Sequence, residues 1–287
     1  MASVFFDELS VQSRASFMSN SLHASAKAFE ERGAAYVSRG EYVLAEEPLQ
    51  QSLTEYRMLG DRAGEARALD QLGKVYRHKP DLDGARDHHQ EALSIFEALA
   101  DRKGQGKATD HLGLVYSARG DYETARSLHE AALAHHRATG ERAAETVSFS
   151  NLGLCCKNLG DFASAELFLM NALSIDRELH DEVGEAMTLG NLGNLCHFQR
   201  AFEKAQQHHA ANIVLAQRLG NRRSEGLARL NRGVALIELH RMVEAIDELN
   251  RSHDLFVNIF DKLNMRRSAS ILTQLGYPPV SIFEMPD

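Results

Sequence analysis

An all-α solenoid of stacked antiparallel helix pairs is the fold this sequence predicts, and three observations carry the prediction. The first is a block recurring every forty residues without insertion: Glu31-Arg32-Gly33, Gln71-Leu72-Gly73, His111-Leu112-Gly113, Asn151-Leu152-Gly153, Asn191-Leu192-Gly193 and Asn231-Arg232-Gly233. The second is an alanine in the same register: Ala45, Ala85, Ala125, Ala165, Ala205 and Ala245. The third is apolar spacing: Leu72, Val75 and Tyr76 recur as Leu112, Val115 and Tyr116, one helical face with a period near 3.6 residues. A lone helical hairpin cannot bury such a face, whereas stacked copies make a continuous core. The 287 residues are therefore expected to form one continuous array.

Taken in order, residues 1–20 precede the first full unit. Phe5, Phe6, Leu9, Phe17 and Met18 have loosely helical spacing, which predicts a capping helix over the open end of the array. The array proper runs over 21–270. Ser21 opens it, and its counterparts Asp61, Asp101, Glu141, Asp181, Asn221 and Asp261 read as helix N-caps, because most of these side chains can accept a backbone N–H bond. A first helix of each unit follows, for example 62–79. It stops at Gly40, Gly120 or Gly160, with Pro80 in the second unit; glycine supplies the left-handed conformation that ends a helix. Arg200 and His240 hold that place in the last two units, so strained turns are expected there. An acid comes next (Glu41, Asp81, Asp121, Asp161), then an apolar anchor such as Tyr42 or Phe162. The second helix runs to Leu59, Leu99, Thr139, Leu179, Leu219 or Ile259. The recurring glycines and alanines are expected at close helix contacts. Leu53, Leu93, Leu133, Leu173 and Ile213 supply the facing apolar stripe. Residues 271–287 are expected to complete a capping helix and leave it as an extended tail, since Pro278 and Pro279 prevent helix continuation while Val280, Ile282, Phe283 and Met285 are apolar.

Composition narrows the function classes. A net charge of −8 argues against nucleic acid, which wants a basic face. Cys155, Cys156 and Cys196 are the three cysteines; they make no disulfide framework and fit a reducing compartment. Residues 1–20 lack a basic start and a long apolar run, so a leader is not expected. No stretch reaches the roughly 20 apolar residues of a membrane span. Membrane insertion is excluded on this reading, and a cytoplasmic protein is expected.

The features that could carry chemistry have packing readings. The fourteen histidines include the pairs His88-His89, His135-His136 and His208-His209. Adjacent histidines diverge by about 100° on a helix, whereas a metal pair wants spacing of four. His89, His129 and His209 share one repeat position and read as packing residues. The cysteines fall in the apolar stripe and read as small buried hydrophobes. Gly104-Gln105-Gly106-Lys107 lacks the spacing and the following hydroxyl of a phosphate loop. No nucleophile elbow or paired carboxylates stand out. The expectation is no enzyme, no metal site and no cofactor.

The Leu-Gly block, a tyrosine three residues on and an alanine nine beyond it resemble the tetratricopeptide repeat. The longer forty-residue unit, with Leu59-Gly60-Asp61-Arg62, Gly64-Glu65-Ala66, Gly120-Asp121-Tyr122 and Asn191-Leu192-Gly193-Asn194, is similar to LGN/Pins adaptors, to rapsyn and to several cytoskeletal and axonemal repeat proteins. The resemblance covers about residues 21–270. It implies a right-handed superhelical solenoid whose first helices line a concave, peptide-binding surface. Carried onto matching positions, that surface comprises Arg67, Lys74, Arg77 and His78, then Lys107 and His111, then Asn151 and Lys157, then Asn191, Asn194 and His197, then Leu227, Asn231, Val234 and Ile237. The lysine by which some relatives clamp chaperone C-termini is missing: Glu30, Asp70, Asp110, Ser150, Gly190 and Leu230 stand there. The resemblance thus implies a non-enzymatic scaffold or adaptor for a protein or peptide partner. Basic early units and apolar late units suggest a partner segment with an acidic and an apolar half. The alternatives are a regulatory peptide-sensing module, a cytoskeletal or axonemal assembly factor and, from another class, a histidine-based metal protein or enzyme.

Overall fold

The structure, a computed structural model, describes residues 2–278. The described residues form thirteen α-helices in two compact units that divide between Glu141 and Arg142. The first unit holds α1 (Ala2–Ser38), α2 (Tyr42–Leu59), α3 (Arg62–His78), α4 (Leu82–Ala98), α5 (Arg102–Ala118) and α6 (Tyr122–Thr139). The second holds α7 (Arg142–Asn158), α8 (Phe162–Glu178), α9 (Glu182–Phe198), α10 (Phe202–Arg218), α11 (Arg222–Glu238), α12 (Met242–Asn258) and α13 (Lys262–Gln274). Within each unit every helix packs on its neighbours in sequence, and alternate helices also touch: α1, α3 and α5 in the first unit, α7, α9 and α11 in the second.

Most of the helices start at a side-chain cap, whereas Glu41, Ala201 and Arg241 cap none of α2, α10 and α12. Asp61, Asp101, Asp181, Asn221 and Asp261 accept backbone N–H bonds from the first turns of α3, α5, α9, α11 and α13. Asp81, Asp121 and Asp161 do the same for α4, α6 and α8. Ser21 does not cap a helix, contrary to the repeat alignment. It sits within α1, which runs unbroken from Ala2 to Ser38; a serine caps only where the chain enters a helix from outside, and no break precedes it here. Gly40, Gly120 and Gly160 take φ of 76°, 81° and 81° at the turns inside the pairs. Arg200 and His240 are driven into the same left-handed region at 59° and 57°, where a Cβ is strained.

The packing explains the repeating block. Ala45, Ala85, Ala125, Ala165, Ala205 and Ala245 are fully buried. Each block glycine faces one side chain of the following helix. A Cβ on Gly33, Gly153 or Gly233 would come within 2.5, 2.6 or 2.8 Å of Leu49, Leu169 or Leu249. On Gly73, Gly113 or Gly193 it would come within 2.5, 2.6 or 2.5 Å of the imidazoles of His89, His129 or His209. Leucine fills this socket in three units and histidine in the other three, and these three histidines pack as the repeat position predicts. Cys155, Cys156 and Cys196 are buried in the core of the second unit, and burial pushes the Cys196 thiol upward.

The side chains of Phe5, Phe6, Leu9 and Phe17, and all of Pro279, Val280, Ile282, Phe283 and Met285, lie outside the described residues. Met18 is exposed. The last described helix ends at Gln274, and Gly276 turns the chain at φ 85°. Among the described residues, no helix is long and apolar enough to cross a membrane.

Candidate functional site

The predicted binding residues sit on the first helices of the pairs, and the two units treat them differently. In the first unit, Arg67 on α3 is already engaged. Its guanidinium grips both carboxylate oxygens of Glu30 on α1, at 2.8 and 3.1 Å, and lies 5.7 Å above the Tyr56 ring. Tyr56 donates its hydroxyl to the same Glu30 at 2.7 Å. Burial and that carboxylate push the tyrosine up to about 12. Lys74 is half-buried, 3.8 Å from Asp70.

Asp70 and Asp110 do not lie as open acids beside these bases. Asp70 is buried and accepts hydrogen bonds from His89 at 2.9 Å and His111 at 2.7 Å. Burial alone would raise its pKa, but the two imidazoles hold it well below the usual carboxylate range. Asp110 likewise binds His129 at 2.7 Å and His136 at 3.2 Å.

Arg77 and Lys107 are the two bases of this set left for a partner. Arg77 is half-buried, with no carboxylate against it among the described residues, and burial lowers its pKa. Its Nη2 lies 3.3 Å from His78 Nε2, whose ring stacks on Tyr42 at 3.8 Å. Lys107 on α5 is exposed.

In the second unit the same positions turn polar-neutral and apolar. Asn151 and Lys157 lie on α7, Asn191, Asn194 and His197 on α9, and Asn231 on α11. Asn231 donates its amide to Asn194 at 3.2 Å, so the faces of α9 and α11 join. Lys157 sits 4.9 Å above the ring of Phe198, joining α7 to α9. His197 meets Phe202 edge-on at 5.3 Å. Asn194 is exposed, while Asn151 and Asn191 are half-buried. Asn151 Nδ2 is shielded from solvent without a partner, so this asparagine is less open than its place on a solvated face suggests.

The structure adds residues that the motif comparison passed over. Val147 on α7 and Met187 on α9 are 51% and 65% exposed. They occupy the repeat position of Arg67 and Lys107, with half-buried Leu227 next in the row on α11. Val147 precedes Asn151, Met187 precedes Asn191 and Leu227 precedes Asn231 by four residues, which puts each pair on one helical face. The signal was in the sequence: Arg, Lys, Val, Met and Leu in one register position mark a change from basic to apolar.

A family model described as tetratricopeptide repeat matches residues 24–98, 106–178 and 148–211. No curated protein sequence matches the chain. Among solved structures, the chain is similar to BtubC (BKLC) from P. vanneervenii, at 19% identity over 81% of this chain and 92% of that one, with a TM-score of 0.68. A Rap protein complexed with Competence and Sporulation Factor is similar at 16% identity, over 88% of this chain and 75% of that one, with a TM-score of 0.67. A Signal Transduction ATPase with Numerous Domains with a tetratricopeptide repeat sensor, from Pyrococcus horikoshii, is similar at 14% identity, over 86% of this chain and 39% of that one, with a TM-score of 0.68. At these identities the likeness is one of fold.

Proposed function

The chain belongs to the tetratricopeptide repeat family, and on that premise we propose that it is a non-enzymatic adaptor that holds a segment of a partner protein against the first helices of its repeats. Repeats of this family generally serve as protein–protein interaction modules. The observation that carries the reading is the row on α7, α9 and α11, where exposed Val147 and Met187 alternate with Asn151, Asn191, Asn194 and Asn231. Apolar side chains left open beside amides suit a peptide. An amide both donates and accepts, so it pairs with a backbone of any sequence, while the valine and methionine take apolar side chains. Arg77 and Lys107 would draw acidic residues; Arg67 and Lys74 are neutralised within the first unit and contribute little.

Within this reading, the forty-residue unit with its Gly-Asp-Tyr, Gly-Glu-Ala and Asn-Leu-Gly-Asn blocks supports an adaptor of the LGN/Pins or rapsyn kind, working in the cytoplasm on cytoskeletal or axonemal assembly. A regulatory peptide sensor is the second reading. It is favoured by the similarity to a Rap protein complexed with Competence and Sporulation Factor and to the repeat sensor of the Pyrococcus ATPase.

The test is quantitative capture of partners with the wild-type chain and with a Val147→Asp, Met187→Asp, Asn194→Ala variant. All three sites are exposed, so the melt should stay nearly unchanged. The variant is expected to lose the specific partners. Recovery of every partner at wild-type affinity would move binding to another surface.

A further inference from the structure

Asp70 on α3, His89 on α4 and His111 on α5 converge inside the first unit. Both imidazoles present Nδ1 to one carboxylate oxygen, Asp70 Oδ1, at 2.9 and 2.7 Å. The three donor atoms lie within 4.8 Å of one another, and among the described residues this is the one such group of histidine, cysteine, aspartate or glutamate. Asp70 and His89 are buried, while the His111 side chain keeps 20% of its surface open to solvent. The equivalent positions of other first helices hold Gln71, Asn151, Asn191 and Asn231. His111 therefore adds a donor that these repeats lack at this place.

We propose that Asp70, His89 and His111 bind a late first-row divalent metal ion, with Zn2+ as the reference ion and water from the His111 side in the fourth position. Two imidazole nitrogens and one carboxylate oxygen from three packed helices are a donor set that zinc accepts with one place open. At Zn–N distances of about 2.0–2.1 Å the donor atoms of a tetrahedral site sit roughly 3.3 Å apart, so the two hydrogen-bonded separations open by about half an ångström while the two Nδ1 atoms, now within 4.8 Å of each other, draw together. Rotations of the two imidazoles supply both changes. To bind the ion, each imidazole presents a bare Nδ1 and carries its hydrogen at Nε2, the tautomer opposite to the one that donates to Asp70. His111 can pass that hydrogen bond to water. His89 cannot, because its Nε2 is closed in against Gly73 without a partner. Lys74, 3.8 Å from Asp70 Oδ2, leaves Oδ1 to the ion but repels its charge. Both features weaken the site relative to one whose ligands keep their outer hydrogen bonds. The proposal is independent of the peptide reading, since it concerns a buried cluster between helices.

The test uses the full chain, stripped with a chelator and titrated with Zn2+ by calorimetry and with Co2+ by visible absorption. One ion per chain is expected, with the absorption bands of a four-coordinate Co2+ centre and a melt raised by Zn2+ through mass action. His111→Asn introduces the residue native at 151, 191 and 231, so it should fold; it is expected to weaken binding by about tenfold or more. His180→Asn, at an exposed turn, should bind as wild type. Absence of stoichiometric binding, or binding that survives His111→Asn unchanged, overturns the assignment.

Discussion

His209 lacks the partner that its counterparts keep. Asp70 receives the Nδ1 hydrogen bond of His89, and Asp110 that of His129; the equivalent position before His209 is Gly190. His209 Nδ1 and the neighbouring Asn212 Oδ1 are buried without partners. Burial, then the nearby His208 and His197, push the His209 pKa from 6.5 to about 4. The folded protein therefore binds fewer protons than the unfolded chain between those values. Stability contributed by neutral His209 is complete above pH 6.5 and drains away as the pH falls to 4, by on the order of 3 kcal/mol. Leucine fills the same socket at Leu49, Leu169 and Leu249, so His209→Leu should fold. Urea unfolding of both proteins at a series of pH values should show the wild type losing about that much more stability than the variant between pH 6.5 and 4. Parallel curves would mean that His209 keeps an ordinary pKa.

At the scale of elements, the repeats differ in their turns. The pairs α1/α2, α5/α6 and α7/α8 turn on Gly40, Gly120 and Gly160, whereas α9/α10 and α11/α12 turn on Arg200 and His240. Those two pairs also lack a side-chain cap on the second helix, as α2 does at Glu41: Ala201 and Arg241 accept no backbone N–H with their side chains. The loss at both ends of one turn leaves these hairpins with more strain and fewer satisfied donors. Arg200→Gly and His240→Gly should each raise the denaturation free energy by about 0.5–1 kcal/mol, since relief of the left-handed strain exceeds the extra freedom of the unfolded glycine. Ala201→Asp should add about 1 kcal/mol by restoring the cap. Higher denaturation midpoints at an unchanged slope check this; a lower midpoint for either glycine variant would show that the arginine or histidine side chain holds its turn through contacts that matter more than strain.

On the scale of the whole molecule, stability in stacked pairs comes from neighbours. In the second unit, α9 packs on α7, α8, α10 and α11, while α13 packs on α12. α13 is also the shortest helix of the unit, at 13 residues. Opening α13 exposes chiefly its interface with α12, and opening α9 exposes four. Native-state hydrogen exchange should therefore be slowest in α9 and α10 and fastest in α13. Equal protection in α9 and α13 would refute nearest-neighbour coupling within this unit.

The sequence by itself determined the helix-pair architecture, the close contacts of the repeating glycines and alanines, and the helix boundaries from α2 onward to within about a residue, a margin usual for such ends. These features rest on short-range causes. Asp61 caps a backbone three residues away, Gly40 turns its own chain, and the forty-residue period brings Gly73 to the same kind of contact in every unit. Only the tertiary structure decided which polar groups are spoken for. Arg67 finds Glu30 at a separation of 37 residues, and Asp70 is shared by histidines 19 and 41 residues away. Ser21 sits inside a helix although its counterparts lie at helix starts, because α1 continues straight through it. The open row of Val147 and Met187 is likewise a matter of what packs against α7 and α9 and what does not. A side chain's partner is set by competition among all groups within a few ångströms, and periodicity gives its helical face without saying which of those competitors wins.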